Sequence, residues 1–277
     1  MIGTFDYVRA LSRDDVGRAL REAAGDVAIL AGGTDLLVEL RNGVRSLDLL
    51  IDIKRIDDLG AIDIDESEIT IGAAVPLNRV IEHAEVRRRL AGVADAAATI
   101  ATYQLRNRAT LVGNLCNASP AADMAPVLLA LGAEVRVAGP DGERSVRLTD
   151  LFTGVKRTCL EAGEWVTAIR IPTPPDVRTA FLKQQRIRGH DLAVVNVGGA
   201  FVPETRALTL AVGSCAPTPL PFGPFDARDA AGRAVETIEA AVAPIDDVRS
   251  SAAYRRAVLP VLVRRTIDRL VAPKGGP

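Results

Sequence analysis

The sequence predicts an α+β protein of three successive units, 1–55, 56–175 and 176–277, and three observations carry that prediction. In the first unit, apolar runs lead into glycine-bearing turns and then into helical spacing, which is the pattern of strand, loop and helix. In the second, aliphatics alternate on either side of acidic and Gly-Pro-Asp-Gly turns, marking antiparallel hairpins. A proline cluster, Pro172, Pro174 and Pro175, then breaks the chain ahead of a third run of strands followed by helices.

Taken in order, Ser12 and Asp15 form a capping-box pattern, and Val16, Ala19, Leu20 and Ala23 fall at helical spacing behind it. Val27-Ala28-Ile29-Leu30 reads as a strand entering the first loop, Ala31-Gly32-Gly33-Thr34-Asp35. A helix over 36–42 follows, with Leu36, Leu37 and Leu40 as its stripe and Gly43 as its stop. Residues 47–53 are aliphatic enough for a buried strand. In the second unit, Ile62/Ile64 and Ile69/Ile71 flank Asp65-Glu66-Ser67-Glu68 as a hairpin. Pro76 suits the first turn of a helix through Val80 and Ile81. The alanine-rich stretch 91–102 continues helical toward a second loop, Thr110-Leu111-Val112-Gly113-Asn114. Ser119-Pro120 offers the N-cap and first position of the next helix, with Gly132 as its end. Residues 134–137 and 144–148 flank Gly139-Pro140-Asp141-Gly142 as a further hairpin, and 165–171 closes the unit as a strand. In the third unit 180–186, 192–202 and 207–215 read as antiparallel strands, 217–224 as a proline-rich turn, and 227–243 and 251–270 as helices.

Composition narrows the function classes. At 277 residues and 48% hydrophobic content the chain can bury a substantial core. Its 34 basic and 35 acidic residues leave a net charge of -1, which argues against a nucleic-acid surface. Arg87-Arg88-Arg89 and Arg264-Arg265 read as solvated helix faces. Residues 1–6 show no basic-then-apolar leader, and no apolar run approaches the roughly 18–20 residues of a spanning helix. A cytoplasmic location with at most peripheral membrane contact is therefore expected. Cys116, Cys159 and Cys215 are scattered, and His83 and His190 are the only histidines, so neither a disulfide framework nor a metal set is expected. Cys116 reads as a small buried thiol and His190 as a loop residue with no proton to move.

The two loops carry the chemistry. Neither is G-x-G-x-x-G, and the chain holds no G-x-x-x-x-G-K-[ST] and no G-x-S-x-G. Glycines still let backbone N–H groups converge on an anion, and a helix opening at Thr34 adds unpaired amides and a favourable dipole. Two such loops point toward a diphosphate held from both sides, and so toward a dinucleotide.

With these residues in view, the sequence resembles the FAD-binding medium subunit of the molybdenum hydroxylases, the group of carbon monoxide dehydrogenase and xanthine dehydrogenase. Ala31-Gly32-Gly33-Thr34-Asp35 is similar to that family's first pyrophosphate loop. The run from Leu105-Arg106-Asn107-Arg108 through Asn114, then Ser119-Pro120-Ala121-Ala122-Asp123, is similar to its second loop and the stretch beyond. Further similarity lies in 186–193 and 247–255, so it spans nearly the whole chain. The resemblance implies a two-subdomain FAD-binding fold of the vanillyl-alcohol-oxidase-like (PCMH) type, followed by a C-terminal α+β domain with a small antiparallel sheet.

It also implies site roles. Ile29, Leu30, Ala31, Gly32, Gly33, Thr34, Asp35 and Leu36, with Thr110, Leu111, Val112, Gly113 and Asn114, would wrap the diphosphate and ribityl chain. Asp123 matches a nucleotide-contacting aspartate, Ile100 and Val166 match contacts near the flavin, and Lys183 matches a lysine that reaches it. A cation there would stabilise reduced, anionic flavin. Each residue also has a plain alternative: a tight turn, a helix-dipole acid, ordinary core or an edge charge. The chain departs from the family pattern at Val112, where many relatives have glycine, and at Leu192, where many have an aromatic. The cysteine cluster with which one subgroup holds an extra iron–sulfur centre is missing from the sequence.

By the same resemblance the chain is a flavoprotein oxidoreductase subunit whose only cofactor is FAD. Molybdopterin and [2Fe–2S] clusters would lie on a large and a small partner subunit, in a dimer of heterotrimers. Two other readings stay open. One is a self-sufficient FAD-dependent oxidase of the same fold, for which 176–277 offers no histidine or tyrosine cluster as general base. The other is a nucleotide-binding module without turnover. The polar run 247–255 reads either as a docking surface or as a helix N-terminal cap.

Overall fold

Three short strands from the N-terminal stretch lie parallel in one sheet of the computed structural model, which describes residues 3–187 and 189–272. They are β1 (Asp6–Arg9), β2 (Val27–Leu30) and β3 (Leu49–Asp52), in the order β1-β3-β2. Helix α1 (Arg13–Glu22) opens on the expected capping box: the Asp15 N–H donates to Ser12 Oγ at 3.1 Å and the Ser12 N–H to the Asp15 carboxylate at 3.0 Å. Helix α2 (Leu36–Arg41) begins at Leu36 rather than at Thr34, with Asp35 in the capping position. Gly43 follows in the left-handed conformation, φ 66°.

The second sheet is antiparallel. The expected hairpin is β4 (Ile62–Ile64) with β5 (Glu68–Gly72). Helices α3 (Leu77–Glu82), α4 (Ala84–Arg89), α5 (Ala91–Ala98), α6 (Tyr103–Arg106), α7 (Leu111–Cys116) and α8 (Met124–Ala130) follow. Two proline expectations shift here. Pro76 stands before α3 with ψ 148°, because its backbone is drawn into a bridge with Thr110 and the Leu77 N–H donates to Ala109 O at 2.8 Å. Ser119-Pro120 forms a separate turn, in which Ser119 Oγ accepts the Ala121 N–H at 3.2 Å, so Asp123 occupies the position before α8. Gly132 ends that helical stretch as expected, at φ 68°.

Strands β6 (Glu134–Gly139) and β7 (Gly142–Arg147) form the second expected hairpin. Helix α9 (Leu148–Leu151) and a small hairpin of β8 (Phe152–Gly154) and β9 (Arg157–Thr158) lead to β10 (Trp165–Pro172). That strand lies at the centre of the sheet order β4-β5-β10-β6-β7, which explains its nearly unbroken burial.

After the prolines comes a four-stranded antiparallel sheet of β11 (Arg178–Gln184), β12 (Val195–Val202), β13 (Ala207–Gly213) and β14 (Leu220–Asp226), in chain order. The last strand corrects the proline-rich turn. Its prolines are tolerated because β14 is an edge strand and pairs with β13 across a register shift between Leu208 and Leu210. Strand β12 begins only at Val195, which leaves 192–194 as a loop. Helices α10 (Ala230–Ala241) and α11 (Ala252–Val271) cover this sheet and share its core with Val197, Leu210, Ile238 and Val263. The other face meets α5 and α8, and all seven residues of α8 are buried. The run 247–255 holds a helix cap: Ser251 Oγ accepts the Tyr254 N–H at 3.2 Å. Although burial pushes the Asp247 carboxyl up, Arg249 and the fully buried Arg255 hold it well below the usual carboxylate range.

Candidate functional site

A cleft of ≈ 630 Å³ runs between the parallel sheet and the five-stranded sheet. That volume lies within the roughly 300–1,000 Å³ of ligand pockets. Both glycine loops line it. Gly32 explains how they come together: a Cβ there would lie 2.3 Å from Arg108 O and 2.9 Å from Ala109 Cα. Only glycine lets the first loop rest on the backbone that enters the second. Gly33 follows at φ 73°, turning the chain into α2. The second loop is fixed by its cap, Thr110 Oγ1 accepting the Gly113 N–H at 2.9 Å.

Of the expected site residues, Ile29, Ala31, Gly32, Gly33, Thr34, Asp35, Leu36, Ile100, Thr110, Val112, Gly113, Asn114 and Val166 line this one cleft. Leu30 and Leu111 do not; both are buried in apolar clusters behind their loops. Asp123 and Lys183 lie outside the lining too, as partners of each other at 2.7 Å, with side chains 6% and 4% exposed. Asn196 donates to the same carboxylate at 3.0 Å, and the Lys183 ammonium also donates to Thr99 O at 3.4 Å. Burial pushes the Asp123 carboxyl above its ordinary value, with Lys183 and Asn196 pulling the other way. The two charges left water together and neutralise each other outside the cleft lining. Leu192 is exposed and also lies outside the lining.

The Ile100 segment has its own brace. Arg106 donates to Ala98 O, Ile100 O and Ala101 O at 2.9–3.1 Å, and Ala101 holds φ 45°. Asn78 accepts from Arg106 at 3.2 Å and donates to Tyr103 O and Asn107 Oδ1. Cys116 lines the cleft as a thiol that burial pushes up to about 12, so it stays protonated at neutral pH. Arg144, bonding Glu164 twice at 2.7 Å, holds that lining carboxylate below its ordinary range.

The sequence reading did not single out Glu39, Asn117, Lys156 or Trp165, all of which also line the cleft. Only Trp165, at the start of an apolar strand, had a local signal. The others converge from α2, the end of α7 and the tip of the β8–β9 hairpin.

Comparison with known proteins decides the family. Residues 3–174 match the family described as FAD binding domain in molybdopterin dehydrogenase. The chain belongs to this family. It is 31% identical to the carbon monoxide dehydrogenase medium chain of Afipia carboxidovorans, over 98% of both chains. It is 30% identical to a xanthine dehydrogenase FAD-binding subunit of Escherichia coli O157:H7, over 90% of each. A solved structure titled carbon monoxide dehydrogenase from Hydrogenophaga pseudoflava, lacking the Mo-pyranopterin moiety of the molybdenum cofactor, superposes with a TM-score of 0.91. The identity is 28%, over 98% of this chain and 99% of that one. This member of the FAD-binding family is thus an oxidoreductase subunit with FAD as its cofactor and the α+β fold expected of it.

The cleft's donor set fits that group. Among the described residues, none accepts a bond from the backbone N–H of Gly32, Gly33, Thr34, Asp35 or Leu36, which leaves a run of donors for a diphosphate. Ile100, Val112, Trp165 and Val166 supply apolar wall for ring systems. Among the described residues no three His, Cys, Asp or Glu side chains are grouped to hold a metal ion. No described helix is long and apolar enough to cross a membrane.

Proposed function

We propose that this chain is the electron-transfer subunit of a molybdenum hydroxylase, with FAD held in the cleft between the two glycine loops. The observation that carries this reading is the seating of Gly32 on Arg108 and Ala109, which makes one binding surface from loops that lie far apart in sequence. FAD, when bound, supplies the ability to collect electrons and release them singly or in pairs to an external acceptor. The chain's own contribution is to hold and orient it. The amides of residues 32–36 and the capped start of α7 take the diphosphate. Ile100, braced by Arg106, and Val166, on the central strand, keep water from the rings. The buried Asp123–Lys183 pair, joined to the residue before Ile100 through Thr99 O, brings no net charge to the wall.

The electrons come from [2Fe–2S] clusters on a small partner subunit, fed by a molybdopterin-binding large subunit. The near-complete overlap with medium chains of carbon monoxide dehydrogenase supports this arrangement. A dimer of such heterotrimers in the cytoplasm completes the proposal. Affinity purification of the tagged chain from its native host tests it. Equal amounts of a molybdopterin-containing large subunit and a [2Fe–2S] small subunit are expected to co-elute with one FAD per chain. A lone flavoprotein that oxidises a small alcohol unaided would establish the self-sufficient oxidase instead, and a colourless lone chain the module without turnover.

A further inference from the structure

The cleft's charges set a problem for an anionic cofactor. Asp35, Glu39 and Glu164 line it, against the cations of Arg45 and Lys156. Arg144 neutralises Glu164, and Arg45 spends a guanidinium N–H on Val27 O at 3.4 Å. Lys156 is differently placed. It sits at the tip of the β8–β9 hairpin with φ 57°, and its own N–H donates to Ala118 O at 2.9 Å. Its ammonium is held between Asn117 Oδ1 and Glu39, the latter at 3.3 Å.

Those two partners belong to the helices that the two loops open. Glu39 lies four residues beyond Asp35 on α2, and Asn117 four beyond Gly113 at the end of α7. Four residues correspond to about 6 Å of helix rise, within the sweep of a lysine side chain. We propose that Lys156 is a further cofactor-holding residue: Glu39 is its partner in the free cleft, and the diphosphate of FAD displaces Glu39 when the cofactor binds. This rests on the reading that the cleft holds FAD. Glu39 then acts as a competitor for the ammonium, so the two residues have opposite effects on binding.

The test is a titration of the flavin-stripped 277-residue chain with FAD, ADP and riboflavin, read by the fluorescence of its single tryptophan, Trp165, which lines the cleft. Lys156→Met is expected to weaken FAD and ADP by about tenfold and leave riboflavin unchanged, the worth of one partly exposed charge-assisted bond. Lys156→Arg restores most of that loss. Glu39→Gln is expected to tighten FAD and ADP several-fold, a sign that a merely structural ion pair would not give. The assignment is overturned if Lys156→Met binds FAD and ADP as the wild type does, if riboflavin weakens equally, or if Glu39→Gln weakens FAD. Should the wild-type chain take up none of the three probes, the cleft reading fails, and the role of Lys156 with it.

Discussion

At the scale of single residues, the site divides into positions with a local signal and positions without one. Gly32 and Gly33 were legible because a glycine turn between a strand and a helix leaves a mark in adjacent residues, whereas residues 110–114, read as a loop, open helix α7 on the Thr110 cap. The Asp123–Lys183 pair was not legible, since its partners stand 60 residues apart and nothing local to either tells which way it faces. The same holds for Lys156 and Glu39, whose meeting depends on a hairpin tip crossing to another sheet's helix. Lys183→Met isolates the buried pair. Without the ammonium, the Asp123 carboxyl rises further above the ordinary carboxylate range, so folding must carry a proton with it. Stability contributed by that protonated form is present below the unfolded pKa and is lost as pH rises through the folded one. The variant is therefore expected to lose about 3–5 kcal/mol near neutral pH, as when one partner of a buried pair is removed. Urea melts at about pH 8 and about pH 5 should show the deficit shrinking at the lower value. Adding Asp123→Asn should recover part of it at the higher. A deficit independent of pH would mean that Lys183 contributes packing only.

At the scale of elements, alternation about an acidic turn and about a Gly-Pro-Asp-Gly turn made both hairpins of the second sheet readable, and Ser12–Asp15 marked the start of α1. Prolines misled in every case where tertiary contacts decided their role. Pro76 was pulled into a bridge with Thr110, Pro120 turned the chain ahead of α8, and Pro221 and Pro224 lie on the open edge of a sheet. Edge and turn share the property that no backbone N–H is needed, so sequence alone does not separate them. The cap of α7 is the element on which the second loop depends. Thr110→Ala removes the acceptor of the Gly113 N–H and should cost about 1 kcal/mol of stability, measured by denaturant unfolding. FAD affinity should fall with it, because the loop's amides lose their fixed direction. Thr110→Ser keeps the hydroxyl and should keep both. Equal losses in the two variants would point to the methyl group and away from the cap.

For the whole molecule, the order of the strands within the sheets was out of reach of the sequence. Strand β10 enters the centre of a sheet whose other members precede it by as much as a hundred residues, and periodicity carries no record of such pairing. Its nearly unbroken burial was the one trace, visible as a largely apolar run broken by Thr167 and Arg170. Family resemblance named candidate residues that periodicity could not, and most of them line one cleft. It did not supply the Lys156–Glu39 and Lys183–Asp123 pairings.

The claim on which the rest depends is that Gly32 seats one loop on the entry to the other and so forms the FAD site. Flavin content of the purified chain and of its Gly32→Ala variant tests this most directly, with retention of the C-terminal sheet by circular dichroism as the control for folding. The expected result is one FAD per wild-type chain and almost none in the variant, since the added Cβ forces the loops apart. A folded Gly32→Ala chain that keeps its flavin, or a wild-type chain that never acquires any, would contradict the account.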